Sequence, residues 1–381
     1  KSKKISGFII EDNRNFKIKL KRGFSPFLEM LASPSYAIFS PHSFIVTKPA
    51  KMANFVGSGP YFVKSEVSGK KIILEKNRFY ENSKPIEVDK IIYTLEKNKQ
   101  RAMQKFFSGE YDDIWPFQIN EENIPNHVYP KIQKIKSLAM ESWLVFFNLN
   151  HEQTKNRHIR QFFKATINKD NFLKHKKLPL YYKSHQLIPR GMLGHTTKNK
   201  IHESKANPDE LLKKAHCTIN KKCVVDFVYA DSDLVRGVET LFPDLHKYQN
   251  RIRVNFIQKD RNEWYKDLTS GKISMSFFAH SSSYYDAYSI LRYFMLDEFA
   301  PGIDRKKISN FLKQAMRTGD RYQRAKFYKK IDQEICSQIA IIPAYSGSVP
   351  YRYATKRFSG YHDLGFGHYF LKMKDLSLNE L

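Results

Sequence analysis

Phe16-Lys17-Ile18-Lys19-Leu20 alternates apolar and charged positions with the period of two that a half-buried strand requires, and Asp12-Asn13 ahead of it supplies turn chemistry. Residues 27–31 carry a helical turn ended by Ser33-Pro34. A breaker cluster, Gly57-Ser58-Gly59-Pro60, precedes alternating segments at 61–65 and 71–76, which Ser68-Gly69 joins into a predicted β-hairpin. Residues 88–95 predict another strand. The spacing then changes: Ala102, Met103, Phe106 and Phe107 recur at helical intervals, so a helix is expected over 99–108, stopped by Gly109. Leu144 to Asn148 is almost wholly apolar and predicts a strand covered on both faces. Beyond it, Ile159, Phe162, Phe163 and Ile167 make one stripe of a helix over 158–168. Pro208-Asp209-Glu210 opens a short helix through Ala215, proline and acids being favoured in a first turn. A strand over 224–229, a helix over 234–242, a strand over 254–257 and a helix over 264–269 describe an α/β unit. Helices over 306–317 and 321–338 and an apolar strand over 340–344 complete a mixed α/β pattern in at least two lobes.

Composition narrows the class. The 381 residues include 65 Lys and Arg against 38 Asp and Glu, a formal charge of +27, with 41% apolar and 14% aromatic residues. That is a globular balance, which excludes wholesale disorder and fibrous structure. No run approaches the ~18–20 apolar residues of a membrane-spanning helix. The charge permits an anionic partner, but the cations are spread from Lys1 to Lys374 without a dense basic tract. A solvated surface explains them better than nucleic acid does.

Catalytic chemistry is hard to find. There is no Gly-x-Ser-x-Gly elbow, no phosphate loop and no His-Glu-x-x-His, since His151-Glu152 and His202-Glu203 both lack the second histidine. Asp112-Asp113 reads as a pair of solvated turn residues. His216-Cys217 has no second Cys/His pair at finger spacing, so no metal is expected, and nothing calls for a cofactor. Cys217 and Cys223 are spaced to close a short loop in an oxidising compartment, with two reduced thiols as the alternative, and Cys336 reads as a buried thiol. Lys1 to Ser6 is basic and the apolar piece after it is cut by Glu11, so no export signal is legible; a processed or truncated start is expected. Aromatics do stand out at loop positions: Trp115-Pro116-Phe117, Trp143, and Tyr284-Tyr285-Asp286-Ala287-Tyr288. Rigid rings with a few hydroxyls and one acid suit a concave binding site, with ordinary core packing as the alternative for each cluster.

A series of short motifs, none specific alone, occurs in a recognisable order. Gly57-Ser58-Gly59-Pro60-Tyr61 leads to Ile73-Leu74-Glu75-Lys76-Asn77-Arg78-Phe79-Tyr80, then Val88-Asp89-Lys90-Ile91 and Phe107-Ser108-Gly109-Glu110-Tyr111-Asp112. Phe147-Asn148, Arg157-His158-Ile159-Arg160-Gln161, Ile188-Pro189, Asn207-Pro208-Asp209 and the segment from Arg321 to Pro343 follow. Over nearly the whole chain this order resembles the family 5 extracellular solute-binding proteins, the oligopeptide-, dipeptide- and nickel-binding receptors of ABC importers.

The resemblance implies a two-lobed, class II periplasmic-binding-protein-like α/β fold with mixed sheets and a hinge. Family members open with a further stretch, so residues 1–55 are expected to be the remnant of an accessory domain and the entry to the large lobe. Residues 56–150 would be the first part of the large lobe, 151–340 the second lobe, and 341–381 a return to the first. The implied function is the substrate-binding component of an importer, capturing a peptide or other small solute between closing lobes. Its partners would be the transporter's membrane subunits, and it would work as a periplasmic or membrane-associated extracellular monomer, neither an enzyme nor a nucleic-acid binder. The alternative reading is a basic regulatory or nucleic-acid-binding protein that uses such a domain as its sensor. By the same resemblance Trp115, Phe117 and Trp143 face His280, Ser283, Tyr284 and Asp286 across the ligand. Where peptide receptors carry the acid that meets a ligand's α-amino group, this sequence has Ser283, and their usual tryptophan falls on His280. A serine cannot pair an ammonium. The preferred ligand is therefore expected to lack a free α-amino group, or to be anionic, unless Asp286 takes the role.

Overall fold

A computed structural model of the chain describes residues 6–38, 44–45, 51–52, 57–81, 85–115, 121–135, 141–176, 181–196, 206–232, 235–296, 298–347, 352–361 and 373–379. The chain divides into two compact units, Lys1–Ala32 with Met140–Gly347, and Ser33–Ala139 with Ser348–Leu381. The division falls at 139/140 and 347/348, which keeps the hydrogen-bonded strands Glu141–Phe147 and Ile341–Gly347 in one unit.

The first unit is built on a six-stranded sheet in the order Tyr181–Lys183, Ile341–Gly347, Glu141–Phe147, Met275–Ser281, Cys223–Ala230, Ile252–Lys259. The first three pairings are antiparallel and the last two parallel, so the sheet is mixed. Glu141–Phe147 lies inside this order with both neighbours present, and Ser142 to Phe147 is buried throughout. That explains its unbroken apolar run: alternation is lost when both faces are covered. On one face Trp143, Val145 and Phe147 join Phe162 and Phe163 of the helix Arg157–Thr166 and Phe172 of the helix Lys169–Lys176 in the main core. On the other, Phe146 meets Phe278, which packs edge-on to Trp264.

Polar residues inside this unit are used as fasteners. Buried Arg160 donates to the carbonyls of Thr154 and Lys155, each at 2.7 Å, and of Ile339 at 3.0 Å, joining its own helix to the loop before the Ile341–Gly347 strand. Burial lowers its guanidinium to about 10. Asp332, in the helix Arg321–Ser337, accepts the Leu187 N–H at 2.6 Å, while the Leu187 carbonyl accepts the Ser142 hydroxyl and the Arg190 N–H donates to Ser346 Oγ at 3.0 Å. The 184–190 loop is thus clamped over two adjacent strands. The N-terminal segment is attached at Ser25, whose N–H and hydroxyl both reach the Met316 carbonyl at 3.0 Å.

The helix expected over 234–242 is not continuous. Only Val238–Leu241 forms a 3-10 turn, because Gly237 is left-handed at φ 83° with the His175 ring against it, where any Cβ would collide. The strand Met275–Ser281 was not foreseen; its interleaved serines break the apolar signal.

The second unit holds the hairpin Tyr61–Val67 and Lys71–Lys76, extended by Lys90–Thr94, and the helix Lys99–Phe107, whose first turn is capped by the Asn98 side chain accepting from Arg101 N–H. A small sheet orders Asp113–Ile114, Arg352–Thr355 and Ile132–Ile135. Asp113 is paired with buried Arg352 at 2.8 Å and so is a structural acid, whereas Asp112 stays exposed, 3.8 Å from the exposed Arg357. A cavity of about 220 Å³ lies between Ile124, Tyr129, Lys134 and Tyr353. No helix among the described residues is long and apolar enough to cross a membrane.

Candidate functional site

The first unit's sheet ends in a cross-strand row. Tyr181 lies opposite Gly347, Gly347 opposite Glu141, and Glu141 opposite Ser281. Glycine is needed at 347 because the Tyr181 ring lies against the backbone there and a Cβ would overlap it. One row inward, Ser142 faces His280, and the Trp143 ring packs edge-on to Tyr181 at 5.9 Å and tilted on Phe277 at 5.4 Å. Glu141 Oε1 accepts the Ser281 hydroxyl at 3.0 Å. Burial raises the Glu141 carboxyl above its ordinary value, opposed by the hydrogen bond from Ser281. Burial, and next the neighbouring Glu141 charge, push the Tyr181 phenol up as well.

His280 stands beside this row. Its ring centroid is 4.0 Å from that of Tyr293, which in turn meets Phe299 at 5.5 Å and lies 4.9 Å from the Arg292 guanidinium. Burial and then the Arg292 charge lower the imidazole to about 4, against a backbone hydrogen bond at Ser289, so it is neutral at pH 7. Among the described residues no hydrogen-bond partner meets its buried Nε2.

The other expected site residues separate. Ser283 is exposed on the loop that follows, whereas Tyr284 is a core residue, 3% exposed. Trp143 is likewise a core side chain at 5%. Asp286 is 1% exposed: its Oδ1 accepts the Tyr328 hydroxyl at 2.5 Å and the Tyr288 N–H at 2.8 Å, and its Oδ2 lies 3.5 Å from Arg324, itself 3.1 Å from Glu29. Burial raises its carboxyl, with the Tyr328 and Tyr288 bonds and the Arg324 charge opposing. Asp286 therefore caps the following helical turn and anchors a buried ion-pair network; it is not free to swing toward a ligand. Trp115 is half-buried in the second unit, just after the strand Asp113–Ile114, and Phe117 lies outside the described residues. Cys217 and Cys223 are disulfide-bonded, with Cα atoms 5.2 Å apart, and the free Cys336 thiol is pushed up by burial. Among the described residues no group of three or more His, Cys, Asp or Glu is placed to hold a metal. Glu141, Tyr181, Arg292 and Tyr293 stand at this end of the sheet as well, and the sequence pattern marked none of them.

A mixed six-stranded sheet in one unit, with the chain passing to a second α/β unit and back, is the architecture of the two-lobed periplasmic binding proteins. The chain belongs to the bacterial extracellular solute-binding proteins, family 5, matching the family's middle region over residues 1–300. That family consists of solute-binding receptors rather than enzymes. The periplasmic oligopeptide-binding protein OppA of Salmonella typhimurium is 22% identical over 357 residues, 88% of this chain and 63% of the relative. The dipeptide-binding protein DppE of Bacillus subtilis is 22% identical over 356 residues, with the same two coverages of 88% and 63%. The solved structure of DppA from Helicobacter pylori, an ABC transporter-associated periplasmic binding protein in complex with the peptide STSA, is similar with a TM-score of 0.73 at 19% identity, over 98% of this chain and 74% of that one. The chain spans 63% of the length of the curated relatives it matches.

Proposed function

We propose that this chain serves as the substrate-binding component of an ABC-type importer, which captures a peptide or other small solute in the periplasm or at an extracellular membrane face. The observation that carries this reading is the family match over residues 1–300, in a chain whose fold is that of the binding proteins. The residues proposed to meet the ligand are His280 and exposed Ser283 at the sheet end, with Trp115 and Phe117 contributing from the other unit's sequence. Trp143 and Tyr284 back the site from the core. The protein acts as a monomer that binds without turnover, docks on the importer's membrane subunits and does not engage nucleic acid. A neutral His280 suits a hydrogen bond to a ligand better than an ion pair. The test is mass spectrometry of whatever co-purifies with the full-length protein, released under denaturing conditions. A bound peptide or small solute is expected. Tight, steeply salt-dependent DNA binding with no small ligand would overturn the reading in favour of a regulator.

A further inference from the structure

We propose that the helical hairpin of Lys306–Arg317 and Arg321–Ser337, on the first unit, is a docking face for an anionic phospholipid bilayer. The contact stands on this face alone. Its use, keeping a receptor beside the membrane that carries its importer, rests on the reading above.

The cations are spread along the sequence, but folding gathers one group of them. Between Arg305 and Lys330 there are ten Lys and Arg against a single acid, Asp320, in a chain whose overall ratio is 65 to 38. Asp320 is occupied as a helix cap, its side chain accepting from the Tyr322 and Gln323 N–H groups. The first helix buries Ile308 and Ala315, and Lys306, Lys313 and Arg317, spaced seven and then four residues apart, form an exposed stripe on the opposite side. The second helix buries Tyr328, Ile331 and Ile335, and exposes Lys326 and Lys330 away from them. Lys330 ties the two stripes together, its Nζ lying 5.4 Å from the ring centre of Phe311 on the first helix and 5.9 Å from that of Phe327 on its own. They run along the outside of one hairpin.

Little on the protein neutralises this face. Glu334 stands 3.9 Å from Lys307, and Glu29 and Asp286 serve the buried Arg324. Among the described residues no acid comes within ion-pair distance of Lys306, Lys313, Arg317 or Lys326. Gathered like charges repel one another, and an anionic surface relieves that repulsion while it releases counterions. A bilayer fits better than an acidic protein because the face also offers apolar groups to the headgroup layer. Tyr322 is 83% exposed at the start of the second helix, and Leu28 is 75% exposed on the short helix Phe27–Leu31, whose Glu29 is 3.1 Å from Arg324. A wet aromatic ring and an aliphatic side chain beside cations suit the membrane–water boundary. The apolar stripes of both helices are already buried in the unit, so the contact is peripheral and leaves the fold intact.

The experiment is co-sedimentation of the full-length protein with vesicles of phosphatidylcholine, alone or with about 30% phosphatidylglycerol, at ~0.05 M and ~0.3 M salt. Wild type should bind the anionic vesicles at least tenfold more tightly than the neutral ones, and should lose most of that preference at the higher salt. The face variant, Lys313→Glu with Arg317→Glu and Lys326→Glu, should weaken binding at least tenfold. The control, Lys213→Glu with Lys221→Glu and Lys222→Glu, changes net charge equally at exposed positions elsewhere on the unit and should weaken it less than threefold. Lys313→Gln with Arg317→Gln and Lys326→Gln serves for the same comparison if circular dichroism shows that charge reversal disturbs the fold. No preference of wild type for anionic vesicles, or equal losses in face variant and control, overturns the proposal. So does binding to the importer's membrane subunits that the face variant loses while no protein sediments with vesicles, which assigns the face to an acidic protein surface. In either case a small solute released on denaturation leaves the receptor reading standing.

Discussion

Asp332 makes the stability of this protein depend on pH in a direction opposite to that of most acids. It sits wholly inside the first unit, where burial is the dominant influence and the Leu187 and Ile188 N–H groups oppose it only in part, so its carboxyl rises from 3.8 to about 7. The folded protein holds this proton up to about pH 7, whereas the unfolded chain releases it near 3.8. Folding therefore takes up a proton between those values, and stability falls as the pH rises through that window and levels off above it. Each pH unit inside the window removes about 1.4 kcal/mol, so the whole span is worth roughly 4 kcal/mol at most. Cys336, whose thiol burial raises well above its ordinary value, does not ionise inside the window. Asp332→Asn keeps an oxygen able to accept the Leu187 N–H and removes the titration. Urea unfolding followed by tryptophan fluorescence, at half-unit steps from pH 4 to 8, should show wild type losing stability relative to the variant up to about pH 7. Other ionisations cancel in that difference. A difference curve that stays flat from pH 4 to 8 would refute the reasoning.

Removing the anchor of the buried network should cost stability: Asp286→Ala deletes the acceptor of the Tyr328 and Tyr288 bonds while Glu29 still pairs Arg324, and should lower unfolding free energy by about 2–3 kcal/mol, measured by urea denaturation. Tyr328→Phe deletes one hydrogen bond to a charged, buried partner and should cost about 1.5–3 kcal/mol in the same assay. Gly347→Ala drives a methyl into the Tyr181 ring and should destabilise by about 1–3 kcal/mol, recovered in part by Tyr181→Ala in the double variant. Thiol labelling of denatured, unreduced protein should find Cys336 alone, and Cys217→Ser with Cys223→Ser should cost about 2 kcal/mol for so short a loop.

Much of the first unit was legible because its signals are local and strong. The apolar run 144–148 announced a strand covered on both faces, and the stripe of Ile159, Phe162 and Phe163 announced the helix that covers one of them. Where tertiary contact overrode the local pattern, reading failed: the stretch 234–242 has helical spacing, but the His175 ring and a left-handed Gly237 leave it one turn of 3-10 helix. The site was less legible still. Aromatic residues mark a core and a pocket alike, so Trp143 and Tyr284 could not be told apart from ligand-facing rings before burial was known. Asp286 could be read as a cap or as a ligand group, and its partners Tyr328 and Arg324 come from some 40 positions away.

The order of strands across the first unit's sheet also sets a timetable for the nascent chain. Glu141–Phe147 finds its hydrogen-bonding neighbours in Met275–Ser281 and Ile341–Gly347, the second of them roughly 200 positions later, which at ~5–20 residues per second is about 10–40 s of synthesis. Until Met275–Ser281 is made, roughly 130 positions on, this strand has neither edge paired, and one edge stays open until Ile341–Gly347 follows. Its second edge is covered only once Ile341–Gly347 has been made, so until then this strand depends on something other than its own sheet to keep it from aggregating.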